Sequence, residues 1–206
     1  MKHLAVGVVL AFTLSTSFAG RYEDGLRNLA NKSFAKASVA FRQAAAEGVV
    51  PAERQLGFMY YKGAGVAQSD TEAVSWFERA AMHGDLQSQV NLGQMYENGL
   101  SVGQSDSRSA YWYRLAAEQD DRASQFRLGE IYYLGTGVPK DAAEAVKWWH
   151  LALRAQDQMT SERRAMIEAP LRKLSSEARE RGEVMANAWL AARQSAAPEQ
   201  SLRTGR

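Results

Sequence analysis

The chain has 206 residues, 46% of them hydrophobic and 23% charged, a balance that fits one folded domain or two small ones and not a disordered polypeptide. A formal charge of +2 provides no basic field for nucleic acid or anionic lipid. There is no cysteine, which excludes disulfides, four-cysteine zinc and a thiol nucleophile.

Residues 1–19 read as an export signal. Lys2 precedes the apolar run Leu4 to Leu14, and Ser17 and Ala19 are the small residues of a cleavage site before Gly20. The run is shorter than the ~20 apolar residues a spanning helix needs. The expected product is therefore periplasmic or secreted, with no stable membrane insertion after cleavage. An uncleaved anchor is the alternative, and the absence of cysteine excludes a lipid-modified one.

From residue 52 a period of 36 dominates the chain. Leu56-Gly57, Leu92-Gly93 and Leu128-Gly129 share it, as do Tyr60, Tyr96 and Tyr132 and then Gly63, Gly99 and Gly135. Val66, Val102 and Val138 keep the register, followed by Trp76, Trp112 and Trp148 and by Ala80, Ala116 and Ala152. Within each copy, Ala52, Leu56 and Tyr60 form one helical stripe. Gly57 inside that helix costs ~1 kcal/mol relative to Ala and so predicts close approach of the paired helix. Gly63 and Gly65 end the first helix, and Ser69-Asp70 cap a second that runs to about His83, with Ala73, Trp76, Phe77, Ala80 and Ala81 inward. Such a pair cannot bury its apolar face alone, so the copies must stack.

The pattern Ala-x-x-x-Leu-Gly-x-x-Tyr-x-x-Gly-x-Gly-Val, then Ala-Val-x-Trp and Ala-Ala-x-x-Gly, resembles the Sel-one-like repeat (SLR), a relative of the tetratricopeptide repeat. The resemblance implies an all-α fold, a right-handed solenoid of stacked antiparallel helix pairs, with copies at 52–87, 88–123 and 124–159. Ser88 and Ser124 replace the opening Ala, Ser101 a turn Gly, Asp120 the closing Gly and Leu153 the second Ala. The bulk of Leu153 suggests that the stack ends differently after the third copy.

Residues 20–51 form a degenerate N-terminal copy with a shortened turn, because Ala37, Ala44, Ala45 and Gly48 precede Ala73, Ala80, Ala81 and Gly84 by 36. Residues 160–193 read as polar capping helices, one started by Thr160-Ser161-Glu162 and interrupted near Pro170, the next started by Ser175-Ser176-Glu177. Residues 194–206 are expected to be disordered.

Chemistry-bearing groups are scarce. Mature histidines are His83, read as a helix cap, and His150, read as a surface residue. No nucleophile elbow, zinc-helix motif or phosphate loop occurs, so no catalytic residue, metal or cofactor is assigned. Glu118, Asp120 and Asp121 could hold a hard cation but read first as a solvated turn. Trp76, Trp112 and Trp148 are core by their consensus place, while Trp149 and Trp189 are off-consensus and expected to be more open.

Opposite the inward stripe of each first helix lie Arg54, Phe58, Tyr61 and Lys62 in copy one. Copy two places Val90, Gln94, Glu97 and Asn98 there, and copy three Phe126, Glu130, Tyr133 and Leu134. Val90 and Phe126 are equally readable as packing against neighbours. The family resemblance makes this face the concave groove that takes a protein or peptide. It implies a periplasmic adaptor and not an enzyme. The alternatives are a cell-wall hydrolase or penicillin-binding SLR protein, for which no serine with a lysine or histidine base is evident, and a permanent subunit of an envelope assembly.

Overall fold

The computed structural model describes residues 20–99, 103–154 and 160–203, with side chains to Ser195. The expected export signal at 1–19, Ser101, Val102 and the last residues of the third copy lie outside them. Among the described residues every regular element is an α-helix, and the chain divides into two compact units, 1–104 and 105–206.

Unit 1 holds α1 (20–30), α2 (Phe34–Ala46), α3 (Val50–Lys62), α4 (Asp70–Met82) and α5 (Leu86–Asn98). Each helix packs mainly on its chain neighbour, α2 on α3, α3 on α4 and α4 on α5. Ala37, Phe41, Ala44, Ala45, Ala52, Leu56 and Met59 form the core, and Tyr22, Leu26 and Leu29 of α1 lie against it. The internal glycine of α3 has the predicted cause. A Cβ on Gly57 would lie 2.6 Å from Cδ1 and Cε1 of Phe77, which is fully buried on α4. The pair α1–α2 repeats the contact, with Gly25 beneath Phe41, across 16 residues instead of the 20 from Gly57 to Phe77. The turn of this first pair is thus four residues shorter.

Unit 2 holds α6 (Asp106–Glu118), α7 (Arg122–Leu134), α8 (Ala142–Leu153), α9 (Ser161–Leu171) and α10 (Ser176–Arg203). Here α6 packs on α7, α7 on α8 and α8 on α10, with α9 touching α8 more lightly. Ala186, Trp189 and Leu190 of α10 join Trp148 and Leu151 in a core. Gly182 lets α10 approach closely, since a Cβ there would lie 2.4 Å from Val146 Cβ. The chain thus continues the pairing of second helix with next first helix through α10, and α9 is an extra element on the way.

The caps follow residue chemistry. Ser69, Asp85, Ser105, Asp121, Asp141 and Thr160 each accept a backbone N–H from the first turn they start. First helices begin at Val50, Leu86 and Arg122, two residues ahead of the Ala and Ser positions taken as repeat starts, because Asp85 and Asp121 are caps and not linkers. Gly63, Gly99 and Gly135 close the first helices in the left-handed conformation. Asp120, in the place of Gly84, takes the same conformation at φ 66°, which a short polar side chain tolerates.

Two further ties recur with the period. Gln89 and Gln125 are buried, and each donates its amide to a carbonyl at the end of the preceding second helix, Ala81 O and Ala117 O, at 3.1 Å. The phenol at 60, 96 and 132 meets the residue 18 earlier. Arg42 donates to Tyr60 Oη at 3.0 Å, Tyr96 donates to Glu78 at 2.9 Å, and Arg114 donates to Tyr132. Helix α10 also corrects one expectation, since it runs to Arg203 through the segment from Gln194 expected to be disordered. Ala196 and Ala197 favour a helix there, and Pro198 works against it.

Candidate partner-binding site

In unit 1 the ring of Phe77 crosses the bare Gly57 and meets Phe58 edge-on, with centroids 5.1 Å apart. Tyr61 stands one turn further along α3 and is 38% exposed. Opposite them, α5 presents Asn91, Gln94, Met95 and Asn98, spaced i, i+3, i+4, i+7 and hence on one face. These seven residues line a cavity of about 130 Å³. Asn98 is tied back to Gln94 O at 2.9 Å. Asn91 accepts from Gln87 through its carbonyl, while its amide nitrogen is buried and meets no acceptor among the described residues.

Four residues anticipated from helical periodicity, Phe58, Tyr61, Gln94 and Asn98, therefore share one concavity. The others do not. Arg54 is engaged with Asp85 at 2.5 Å, and Asp85 also caps α5, so this arginine ties two elements together. Lys62 is exposed at the end of α3, and Glu97 is half-buried outside the cavity. Periodicity passed over Asn91, Met95 and Phe77. On α5 the cavity takes Asn91 and Met95 and leaves out the expected Val90 and Glu97.

Unit 2 uses the same register differently. Trp149 stands at the place of Phe77, over Gly129, where a Cβ would lie 2.3 Å from its Cδ1. Its exposure is 1%, which overturns the expectation that it is open. Tyr133, at the place of Tyr61, packs 5.4 Å from the Trp149 ring with Lys140 Nζ 5.3 Å from its own centroid, so it is half-buried and not an open anchor. Phe126 is buried as well, with the Arg163 guanidinium 5.9 Å from its ring. Ile167 of α9 is fully buried in the cluster with Phe126 and Trp149, and Leu153, Leu171 and Leu174 lie along its edge. The bulk of Leu153 thus belongs to the seat of α9. Glu130 pairs with Arg127 at 2.9 Å, and Leu134 is 67% exposed.

A second concavity, about 540 Å³, lies beside α10 between Arg122, Arg154, Leu151, Trp189 and Arg193. Arg193 stacks 4.4 Å from the Trp189 centroid and donates to Glu118 O at 2.6 Å and to Asp120 at 2.8 Å. With Asp121 capping α7, two of the three turn acids already have partners. Among the described residues no group of three or more His, Asp or Glu could hold a metal ion, and no helix is long and apolar enough to cross a membrane. His83 is the exposed C-cap of α4. Burial raises the Tyr132 phenol above its ordinary range against the opposing Arg114 charge, which suits a tether between helices.

The Sel1 repeat family model matches residues 50–85, 86–121 and 122–157, the phase set by the helix starts. A solved structure of c5321, a protective antigen present in uropathogenic Escherichia coli strains and displaying an SLR fold, superposes with a TM-score of 0.69 at 32% identity. The match covers 89% of this chain and 39% of that one. A Sel1 repeat protein from Oxalobacter formigenes gives a TM-score of 0.62 at 28% identity, over 71% of this chain and 59% of that one. No curated protein matches the chain. With three matched copies over more than half its length and two neighbours built of the same repeat, the chain belongs to the Sel1 repeat family.

Proposed function

We propose that this protein is a non-catalytic scaffold that works after export to the periplasm and captures a protein or peptide on the first-helix face of unit 1. Sel1 repeats are generally interaction modules, which supports the class of function. The observation that carries the site is the convergence of Phe58, Tyr61, Gln94 and Asn98 on one cavity with a buried, unmatched amide donor from Asn91. Aromatic walls with polar edges are what interface centres use, and an unmatched donor gains from an incoming acceptor. The signal-like residues 1–19 support export.

The test is capture from periplasmic extract by wild type, by a Phe58→Ala/Tyr61→Ala double variant and by Met82→Ala, a control at a residue 81% exposed on α4. Truncating central aromatics typically costs on the order of 2 kcal/mol each, so the double variant should lose the partner while circular dichroism shows it folded. The control should capture normally, and the recovered protein should begin at Gly20. Undiminished capture by the folded double variant removes the site, and a product starting at Met1 in the membrane fraction removes the export reading.

A further inference from the structure

The concavity beside α10 in unit 2 gathers charge of one sign. Arg122, Arg154 and Arg193 line about 540 Å³ of open space together with a single acid, Asp120. Arg193 is already engaged, because its guanidinium stacks on Trp189 and donates to Glu118 O and to Asp120. Asp120 is thereby spent, and the charges of Arg122 and Arg154 are left uncompensated. Both side chains are exposed, and neither meets a hydrogen-bond or ion-pair partner among the described residues. Stacking asks for neither of them. The place of Arg122 is Leu86 in copy two and Val50 in copy one, and the place of Arg154 is Glu118 and then Met82. Like charges that share a concavity repel, and an anion between them turns that cost into attraction. The same space is bordered by apolar side chains, the buried Leu151 and the half-buried Trp189. Its volume falls within the ~300–1,000 Å³ of small-molecule sites.

We propose that this concavity binds a small organic phosphate monoester, with its charged head at Arg122 and Arg154 and its apolar body against Leu151 and Trp189. The site lies within unit 2 and goes beyond the scaffold reading, which rests on unit 1. The head group follows from charge. Three arginines against one aspartate leave two positive charges, and a phosphate monoester carries about −1.5 to −2 at neutral pH. Guanidinium forks also match phosphate oxygens two at a time. The body follows from the walls, since a bare anion would leave Leu151 and Trp189 without a partner in the cavity. Arg193, pinned by Trp189 and Asp120, adds its charge without a side chain to be ordered on binding.

The probe is benzyl phosphate, titrated by isothermal calorimetry into the intact protein beside inorganic phosphate, the head alone, and benzyl alcohol, the body alone. Benzyl phosphate should bind saturably and at least ten-fold more tightly than inorganic phosphate, and benzyl alcohol should not bind. Rising salt should weaken the binding, because both arginines are exposed. The Arg122→Gln/Arg154→Gln protein should lose at least ten-fold in affinity with unchanged circular dichroism. Arg122→Lys/Arg154→Lys should fall between the two, since the charges remain and the forks are lost. Arg172→Gln makes the same change of charge at a side chain 79% exposed in unit 2 and outside the cavity, and should bind as wild type does. Equal affinity for benzyl and inorganic phosphate would make this a bare anion site, and full affinity in the folded glutamine protein would place the site elsewhere. No binding of benzyl phosphate, or binding only to phosphatidylcholine vesicles that contain phosphatidic acid, which carries the same head on a lipid, would exclude a small soluble ligand. Each of these results overturns the proposal. Should the glutamine protein lose helicity, the lysine protein decides, and affinity equal to wild type there overturns it as well.

Discussion

The contact of Gly57 with Phe77 can be tested with a single methyl group. Helix propensity alone makes Gly57→Ala stabilising by about 0.8–1 kcal/mol. Packing says the opposite, because the new Cβ would lie 2.6 Å from two ring carbons of a side chain that is 1% exposed. Overpacking of a filled core costs about 1–3 kcal/mol, so against that gain the net effect should be a loss of up to about 2 kcal/mol. For a chain of this size that lowers Tm by up to about 8 °C. Urea unfolding followed by circular dichroism would measure it, with Ser75→Ala on the exposed side of α4 as the propensity control. Phe77→Leu should relieve the clash, giving a favourable coupling of about 0.5–3 kcal/mol in the double-mutant cycle. A Gly57→Ala protein more stable than wild type by the full propensity gain, or an additive cycle, would refute the assignment of this glycine to helix contact.

Two further substitutions separate forces that coincide in unit 1. Asp85→Ala removes both the cap on Ser88 N, 2.8 Å away, and the partner of Arg54, and should cost about 1–2 kcal/mol by urea unfolding, whereas Asp85→Asn keeps the cap and should lose less than half as much; equal losses would give the whole effect to charge. Arg79→Met strips the ion pair from Glu53, whose side chain is 3% exposed. Because Arg79 is itself half exposed, the loss should fall below the ~3–5 kcal/mol typical of a broken buried pair, at about 1–3 kcal/mol. Adding Glu53→Gln should restore most of it, since Gln89 and Gln125 occupy the same place and bond the carbonyl eight residues earlier, which for residue 53 is Ala45 O. If Arg79→Met is neutral, Glu53 is not held by this arginine.

The last pair also shows where sequence reading stopped. Arg79 adjoins the inward Ala80 and is half exposed, but its long side chain reaches around the helix to a buried carboxylate, which periodicity cannot register. Trp149 failed for a different reason. The period that places Phe77 inward applies equally to Tyr113 and Trp149, which the family pattern at Trp76, Trp112 and Trp148 does not mark. A second helix needs both, one aromatic for its neighbours and one to cross the glycine of its partner, and the spacing of 20 from Gly129 to Trp149 repeats that from Gly57 to Phe77. Tyr133 is half-buried because Trp149 and Lys140 close on it, packing that the periodicity of one helix does not register. Caps and turns, by contrast, are legible where one or two residues act locally, as Ser69 and Gly63 do.

The copies themselves indicate which positions are tied to the stack. Leucine stands at 56, 92 and 128, glycine at 57, 93 and 129, and tyrosine at 60, 96 and 132. On the opposite face the register holds and the chemistry does not. It reads Arg54, Val90 and Phe126, then Phe58, Gln94 and Glu130, then Lys62, Asn98 and Leu134. Stacking needs the same shape in every copy, so a face that departs from the repeat while its helix keeps the same 13-residue length answers to something other than stacking. In copy three that demand is visible, because Phe126 and Trp149 are shaped to hold Ile167. In copy one Phe58, Tyr61 and Phe77 make an equally apolar seat ringed by amides and with Lys62 nearby. An aromatic such as Tyr61, 38% exposed, adds nothing to the glycine contact or the caps that hold the pair together, and its open edge suits the contact with a partner proposed above.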